Sequence, residues 1–487
     1  MATNQTLLIS PDAMGQIDKA AADSGLDSYG LMQKAGAHVT AVLLAHFAAV
    51  ARAVVLCGPG NNGGDGHIAA GLLAGAGVDV MRFGPEPKPG GDAARARKAY
   101  PGTLQPFADW QRLEGDVIVD AVFGAGLDRP VSGDVAALIE RAQQAGTPVI
   151  AVDLPSGVSG RTGEPTGACF AAVHTVTFAA LKPGHLLMPG RELCGQIHLC
   201  DIGIPERMIV SDDPVWKNHP GLYMAELPAL GAGHHKYGRG HLGVFCGPLS
   251  STGAARLSAM AGLKSGAGLV TMASPPGATL VLAAHLTAIM QRTIRDEADL
   301  QDWLSDKRLS AFVIGPGFGN LEMARSYCEM LAATGRPVVL DADGLSAFAS
   351  APEKLAALFQ GDTRLVMTPH EGEFRRLFGK LADDHTLSKI DRARIAAKHH
   401  NAVLVYKGAD TVIAAPDGRA AVNADAPAWL ATAGSGDVLA GIVGGLLAQG
   451  MPPFEAACAG VALHSDAGNR AGKGLTAEDL PAHVTPL

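Results

Sequence analysis

The run Gly58-Pro-Gly-Asn-Asn-Gly-Gly-Asp-Gly66 directly follows an apolar stretch, residues 53–57, and precedes a helical-looking stretch that starts at His67. Strand, glycine loop and helix start, in that order, are what a phosphate-binding turn in a parallel α/β sheet needs. Glycines let the backbone approach a pyrophosphate, and the helix behind them presents unpaired N–H groups at the positive end of its dipole. The run lacks the Lys-Ser/Thr ending of a P-loop and follows G-x-G-x-x-G only as far as Gly63. A dinucleotide-like ligand, bound in an unusual way, is expected.

The surrounding pattern extends this to the whole chain. Short Val/Ile runs at 53–57, 78–83, 116–122, 149–152 and 173–178 alternate with helical segments, which predicts a doubly wound α/β domain. Periodicity fails between Glu206 and Gly221, where Ser211-Asp-Asp-Pro214 and Asn218-His-Pro-Gly221 supply turn chemistry. This places a linker there, with one domain over 1–210 and another over 222–487. The second repeats the α/β logic with strands expected at 242–246, 269–273, 311–314, 338–340, 365–367 and 402–406. A chain of 487 residues, 47% hydrophobic and 18% charged, has ample material for separate cores.

The net charge of −8 argues against a nucleic-acid surface. Seven cysteines form no C-x-x-C pair, and no signal segment opens the chain, so reduced thiols and a cytoplasmic location are expected. The longest apolar stretch, 438–448, is too short to span a bilayer, so no membrane role is expected. Cys194, His198 and Cys200 lie close in sequence without a fourth ligand at recognisable spacing, and are read as inert positions rather than a zinc site.

In the first domain, Asp65 in the glycine loop, Asp120 and Asp153 sit at predicted strand ends, the edge where open parallel sheets bind ligands. Such an Asp is often only a cap. Three of them converging beside glycine loops (Asp120 within Val119-Asp-Ala-Val-Phe-Gly-Ala-Gly126, Asp153 within Val152-Asp-Leu-Pro-Ser-Gly157) favour a site. Asn62, Asp120 and Ser156 offer hard oxygens suited to an alkali or alkaline-earth cation, leaving Asp153 for proton transfer.

In the second domain, Thr432-Ala-Gly-Ser-Gly-Asp437 opens a helix, and the amides of residues 434–436 are expected to form an anion hole. Asp437 then reads either as a helix-dipole complement or, beside a phosphoryl group, as the acceptor of a hydroxyl proton; the Gly-Ser-Gly-Asp context favours the acceptor. Lys407-Gly-Ala-Asp-Thr411 reads as a hairpin or as a cation and hydroxyl for a nucleotide phosphate. Pro369-His-Glu-Gly-Glu373 and Gly315-Pro-Gly-Phe-Gly319 add His370, Glu373 and a further glycine loop.

The motifs at 58–66, 120–126 and 153–157 resemble the NAD(P)H-hydrate epimerase family, over roughly residues 1–210. The resemblance implies a Rossmann-like three-layer sandwich. Asn61, Asn62, Gly63, Gly64 and Asp65, with Gly124, Ala125, Gly126, Leu127, Asp128, Arg129 and Pro130, would hold the hydrated dinucleotide. Asn62, Asp120 and Ser156 would hold K⁺, and Asp153 would be the acid/base. Gln33 stands where relatives usually carry Glu.

Residues 222–487, through Thr252-Gly-Ala254, Gly266-Ala-Gly-Leu269 and the motifs above, resemble the NAD(P)H-hydrate dehydratase family, which implies a ribokinase-like α/β domain. By that resemblance Lys407, Gly408, Ala409, Asp410, Thr411 and Gly436 contact the AMP moiety, and Ala254, Gly317, His370 and Asp437 the hydrated cofactor. Glu371 replaces a usual proline, and residues 247–251 lack a tyrosine often found there.

Together these imply a bifunctional, homo-oligomeric repair enzyme. It would interconvert R and S NADHX and NADPHX and dehydrate the S form with ADP, K⁺ and Mg²⁺ being the expected ions. A ribokinase-like small-molecule kinase and a non-catalytic nucleotide-binding interaction module are the alternatives.

Overall fold

The computed structural model describes residues 6–48, 50–127, 129–228 and 235–486. The chain divides into two compact units, the first ending at Val215 and the second beginning at Trp216.

Six parallel strands form the sheet of the first unit, in the spatial order Asp79–Phe83, Arg52–Cys57, Asp116–Ala121, Val149–Val152, His174–Phe178, Gln196–Cys200. After Arg52–Cys57 the chain moves outward to Asp79–Phe83, then returns to Asp116–Ala121 on the other side. The carboxyl ends of those two inner neighbours therefore flank a topological switch point, where open α/β sheets form their crevice. Alternation along the strands serves two cores. Ala53, Val55 and Cys57 face the layer containing helix Ser28–His46 and helix Asn61–Gly75, while Val54, Leu56 and Ile118 face the layer containing helix Gly133–Gln144.

The helix behind the glycine run begins at Asn61, six residues before the expected start at His67. The reason is packing. A Cβ on Gly63 would lie 1.9 Å from the Gly58 carbonyl oxygen, and one on Gly66 would lie 2.6 Å from the Ala121 Cβ. These glycines thus let a helix sit directly on the neighbouring loop and strand, and Asn61, Asn62, Gly63, Gly64 and Asp65 form its first turns rather than a free loop.

In the second unit parallel strands run in the order Met290–Thr293, Leu269–Ser274, His241–Phe245, Ala311–Ile314, Val338–Leu340, Leu365–Met367, Ala402–Tyr406. Thr411–Ala414 and Ala420–Asn423 then continue the sheet antiparallel. Helix Ser435–Ala448, apolar almost all round, is buried against helix Thr252–Lys264. The approach depends on glycine: a Cβ on Gly441 would sit 2.1 Å from the Ser258 carbonyl oxygen.

Several strands are missing from the sequence reading, among them the buried Thr411–Ala414, which lies in the run read as a hairpin or phosphate contact. Gln196–Cys200 and Met290–Thr293 are only partly buried and lack an apolar run, and Ala420–Asn423 is alanine-rich. The expected linker also contains a short strand, Val215–Lys217, and the Asn218 N–H that follows donates to Val422 at 2.8 Å. No helix among the described residues is long and apolar enough to cross a membrane.

Candidate active sites

Asp153 ends the strand Val149–Val152 in a left-handed conformation, φ 65°, which is uncommon for a residue with a side chain. His185 holds it there. The Lys182 N–H donates to His185 Nδ1 at 2.9 Å, which leaves Nε2 as the protonated nitrogen, 2.8 Å from the Asp153 carbonyl oxygen. Burial lowers the His185 pKa to about 4, consistent with this neutral tautomer.

The Asp153 carboxylate is fully engaged. Oδ1 accepts from Lys182 Nζ at 2.6 Å and from Thr177 Oγ1 at 3.0 Å, and Oδ2 accepts from the Ala125 N–H at 2.8 Å. Burial alone would raise its pKa; the adjacent Lys182 ammonium outweighs this and brings it down to about 2. Asp65 behaves in the opposite way: burial, then repulsion from Asp153 and Asp18, hold its pKa well above the ordinary carboxylate range. One cleft therefore carries an ionised carboxylate beside one that favours its proton, the arrangement that divides acid from base.

The cleft has a volume of about 850 Å³, and its lining includes Asn61, Asn62, Asp65, Gly124, Ala125, Gly126, Leu127, Arg129 and Asp153. Gly63 and Gly64 are buried in the helix beneath it, and Pro130 is exposed beside it. Asp128 lies outside the described residues. Gly124 keeps the floor open, since a Cβ there would come within 2.9 Å of Asp153 Oδ2 and 3.3 Å of Asn62 Oδ1. Sequence reasoning missed Asp18 and Lys182, which line the same cleft, and Thr177 behind it.

Of the three expected cation ligands, two are in direct contact. Asp120, fully buried, accepts from the Ser156 hydroxyl at 2.6 Å and from the Ser156 N–H at 2.7 Å. Burial raises its pKa to about 6, with the Ser156 contacts opposing the rise. Asn62 is not tied to this pair, and its buried Nδ2 has no hydrogen-bond partner. The donor set of carboxylate, hydroxyl and amide oxygens is hard and fits K⁺.

The second unit gathers a different cluster. Asp437 lies in the first turn of helix Ser435–Ala448, whose N-cap Gly434 has φ 88°. Burial and the carboxylates of Asp341 and Glu373 raise the Asp437 pKa to about 6, opposed by Lys407. Lys407 Nζ is 2.9 Å from Asp341 Oδ1 and 3.9 Å from Glu373 Oε2. Gly436 opens this space, because a Cβ there would lie 3.2 Å from Lys407 Nζ. The expected anion hole needs one correction: the Ser435 N–H donates to Thr432 at 3.3 Å, so it is not available to an anion. Gly436 and Asp437, at the second and third helical positions, present the amides without an intrahelical acceptor.

The remaining residues show structural roles. Thr411 closes the hairpin after Ala402–Tyr406, its hydroxyl donating to the Gly408 carbonyl at 2.8 Å and accepting from the Gly408 N–H at 3.2 Å. Asp410 pairs with Lys389 at 2.5 Å, beneath Gly408 and Ala409. His370 caps helix Glu371–Ala382, accepting the Gly372 N–H at 2.9 Å, while Glu373 accepts the His370 N–H at 2.8 Å. Gly317, φ 59°, abuts Ala254, which a Cβ at 317 would approach to 3.1 Å. Glu371, in the usual proline's place, accepts the Tyr406 hydroxyl.

An acid/base cleft at a sheet switch point and a carboxylate-lysine cluster at a helix start define an enzyme with two nucleotide-type sites. The model of the NAD(P)H-hydrate dehydratase family matches residues 242–485, and that of the YjeF-related protein N-terminus matches residues 28–184. The bifunctional NAD(P)H-hydrate repair enzyme of Moorella thermoacetica is 37% identical over 96% of this chain and 92% of its own length. That of Coxiella burnetii is 33% identical over 99% of both, and that of Escherichia coli 33% identical over 95% of this chain and 90% of its own. The ADP/ATP-dependent NAD(P)H-hydrate dehydratase of Bacillus subtilis is 26% identical, covering 53% of this chain and 93% of that one at a TM-score of 0.45. The chain belongs to the family of bifunctional NAD(P)H-hydrate repair enzymes.

Proposed function

We propose that the first unit epimerises NADHX and NADPHX, and that the second dehydrates the S epimer to the reduced cofactor with ADP as phosphoryl donor. The observation that carries the first assignment is the opposed pair of carboxylates in one cleft, Asp153 held ionised by Lys182 and Asp65 shifted by burial toward keeping its proton. The C6 carbon of the hydrate bears both a hydroxyl and the ring nitrogen. Taking the hydroxyl proton and supplying one to the nitrogen breaks the C6–N bond and leaves an open aldehyde. Reclosure on either face gives both epimers. Asp153 takes the proton, and Asp65 and Lys182 face the same cleft as donors. Asn62, Asp120 and Ser156 would hold K⁺, which would supply positive charge to offset the ligand's phosphates.

In the second unit, Asp437 at about 6 is matched to accept a proton near neutral pH. Transfer of a phosphoryl group to the C6 hydroxyl turns a poor leaving group into a good one. Phosphate then departs with the C6–O electron pair, a proton leaves C5, and the C5–C6 double bond returns; ADP ends as AMP. Lys407 and the Gly436 and Asp437 amides neutralise the phosphates, and Thr411 shapes the hairpin that positions Lys407. Asp341 and Glu373 are the carboxylates that would face a nucleotide-bound Mg²⁺, which would offset phosphate charge.

The test is incubation of the pure protein with mixed NADHX epimers, with and without ADP. Reduced nicotinamide absorbance should return with ADP alone and run past the S fraction. A phosphorylated alcohol accumulating without reduced nicotinamide would replace this reading with a kinase.

A further inference from the structure

The first unit contains a histidine cluster that neither proposed reaction uses. His46 is the last residue of helix Ser28–His46, His174 is the first residue of strand His174–Phe178, and His198 lies at the centre of the neighbouring strand Gln196–Cys200. In that parallel pair His198 stands opposite Val176, two residues beyond His174, so both imidazoles project from the face that the helix covers. One nitrogen from each of the three rings lies within 4.8 Å of the others, and His174 Nδ1 is 3.1 Å from His198 Nε2. The His46 and His174 ring centroids are 4.1 Å apart, and those of His46 and His198 are 5.4 Å apart.

We infer that His46, His174 and His198 form a binding site for a divalent late transition-metal ion, with Zn²⁺ the best fit. Three nitrogens around a tetrahedral zinc, each about 2.0–2.1 Å from it, are separated by about 3.4 Å, so the observed 3.1–4.8 Å separations need only small ring rotations. Neutral imidazole suits zinc, copper and nickel, while magnesium and calcium require oxygen donors. His46 also sits at the negative end of its helix, where a cation is stabilised. His46 is exposed, so water can take the fourth position, as in zinc sites with three histidines.

The site is separate from the epimerase cleft. That cleft is lined by Ser28, Leu31, Met32 and Ala35 on the same helix, about 16–27 Å from His46 at 1.5 Å per residue, and by Phe178 at the far end of the strand that His174 begins, about 13 Å from it at 3.3 Å per residue. None of the three histidines lines it. In sequence, His198 stands close to Cys194 and Cys200. Cys194 instead belongs to a separate buried cluster with Leu154 and Val158, so the partners of His198 come from elements far away in sequence.

The experiment uses untagged full-length protein stripped of metal with a chelator, titrated with Zn²⁺ against a chromophoric competitor and with Co²⁺ by visible absorption. One equivalent of Zn²⁺ should bind with micromolar or tighter affinity, Co²⁺ should show d–d bands of a four- or five-coordinate site, and millimolar Mg²⁺ should not compete. His46→Ala, at an exposed position, and His198→Gln should each weaken Zn²⁺ binding by at least a hundredfold and remove the Co²⁺ bands. Circular dichroism and both enzymatic rates of His46→Ala should match the parent. Absence of a one-equivalent site in the parent, or a site that survives both substitutions, overturns the assignment.

Discussion

Replacing Asp437 by Asn should abolish dehydration and make the surrounding helix more stable. The Asp437 carboxyl is raised from 3.8 to about 6 in the folded chain, by burial and then by Asp341. A carboxylate with a raised pKa opposes folding. The penalty is absent below the unfolded pKa, grows as pH rises from about 4 to about 6, and is constant above. Two pKa units correspond to about 3 kcal/mol, and solvent screening of a partly exposed group reduces this to about 2 kcal/mol at pH 7.5. At pH 5, where the folded group is mostly protonated already, linkage leaves roughly half of that, about 1 kcal/mol.

The lost helix-dipole interaction of a first-turn carboxylate subtracts only about 0.5 kcal/mol. Hydrogen exchange of the amides in Ser435–Ala448, followed by mass spectrometry, reads this local stability directly. Relative to the parent at the same pH, exchange in Asp437→Asn should slow by roughly 10–30-fold at pH 7.5 and by no more than about 5-fold at pH 5. Faster exchange in the variant at pH 7.5, or a slowing equal at both pH values, would refute the reasoning that Asp437 is a strained, functional carboxylate.

Lys407→Ala should weaken ADP binding more than binding of the hydrate, because it removes a charge-assisted phosphate contact worth about 1.5–3 kcal/mol. Calorimetry with each ligand checks this, and equal losses would contradict it. Epimerisation should require K⁺, and Asp120→Ala should lose both the requirement and most activity. Equal rates in potassium-free and potassium-containing buffer after dialysis would remove the cation. Gly124→Ala, whose new Cβ would press to 2.9 Å from Asp153 Oδ2, should slow epimerisation at least tenfold and leave dehydration unchanged, and separate assays of the two steps read the difference.

The parts of the sites that were legible in the sequence are those set by local order. Asp120 lies near the end of one apolar strand and Asp153 directly after another, Asp437 follows a Gly-Ser-Gly turn, and the run at 58–66 follows a strand, so each could be placed at a sheet edge or helix start. The same strand-end rule applies to Asp341, directly after Val338–Leu340, and would have found it. Lys182 carries no such signal. It reaches Asp153 only because the strands Val149–Val152 and His174–Phe178 are adjacent and the chain turns back after Phe178. Lys389 meets Asp410 only through packing of its helix beside the hairpin. The length of helix Asn61–Gly75 was obscured because glycine reads as a loop former, whereas here it permits contact between backbones.

The most direct test of two linked activities in one chain is the progress curve of Asp153→Asn with mixed NADHX epimers and excess ADP. The substitution keeps the shape of the side chain and removes its proton acceptor, while the second unit is untouched. The variant should consume the S fraction at the parent rate and then stall, limited by slow spontaneous epimerisation of the R form, whereas the parent runs to completion. A variant curve that reaches completion as fast as the parent would contradict Asp153 as the epimerase base and, with it, the division of labour proposed for the two units.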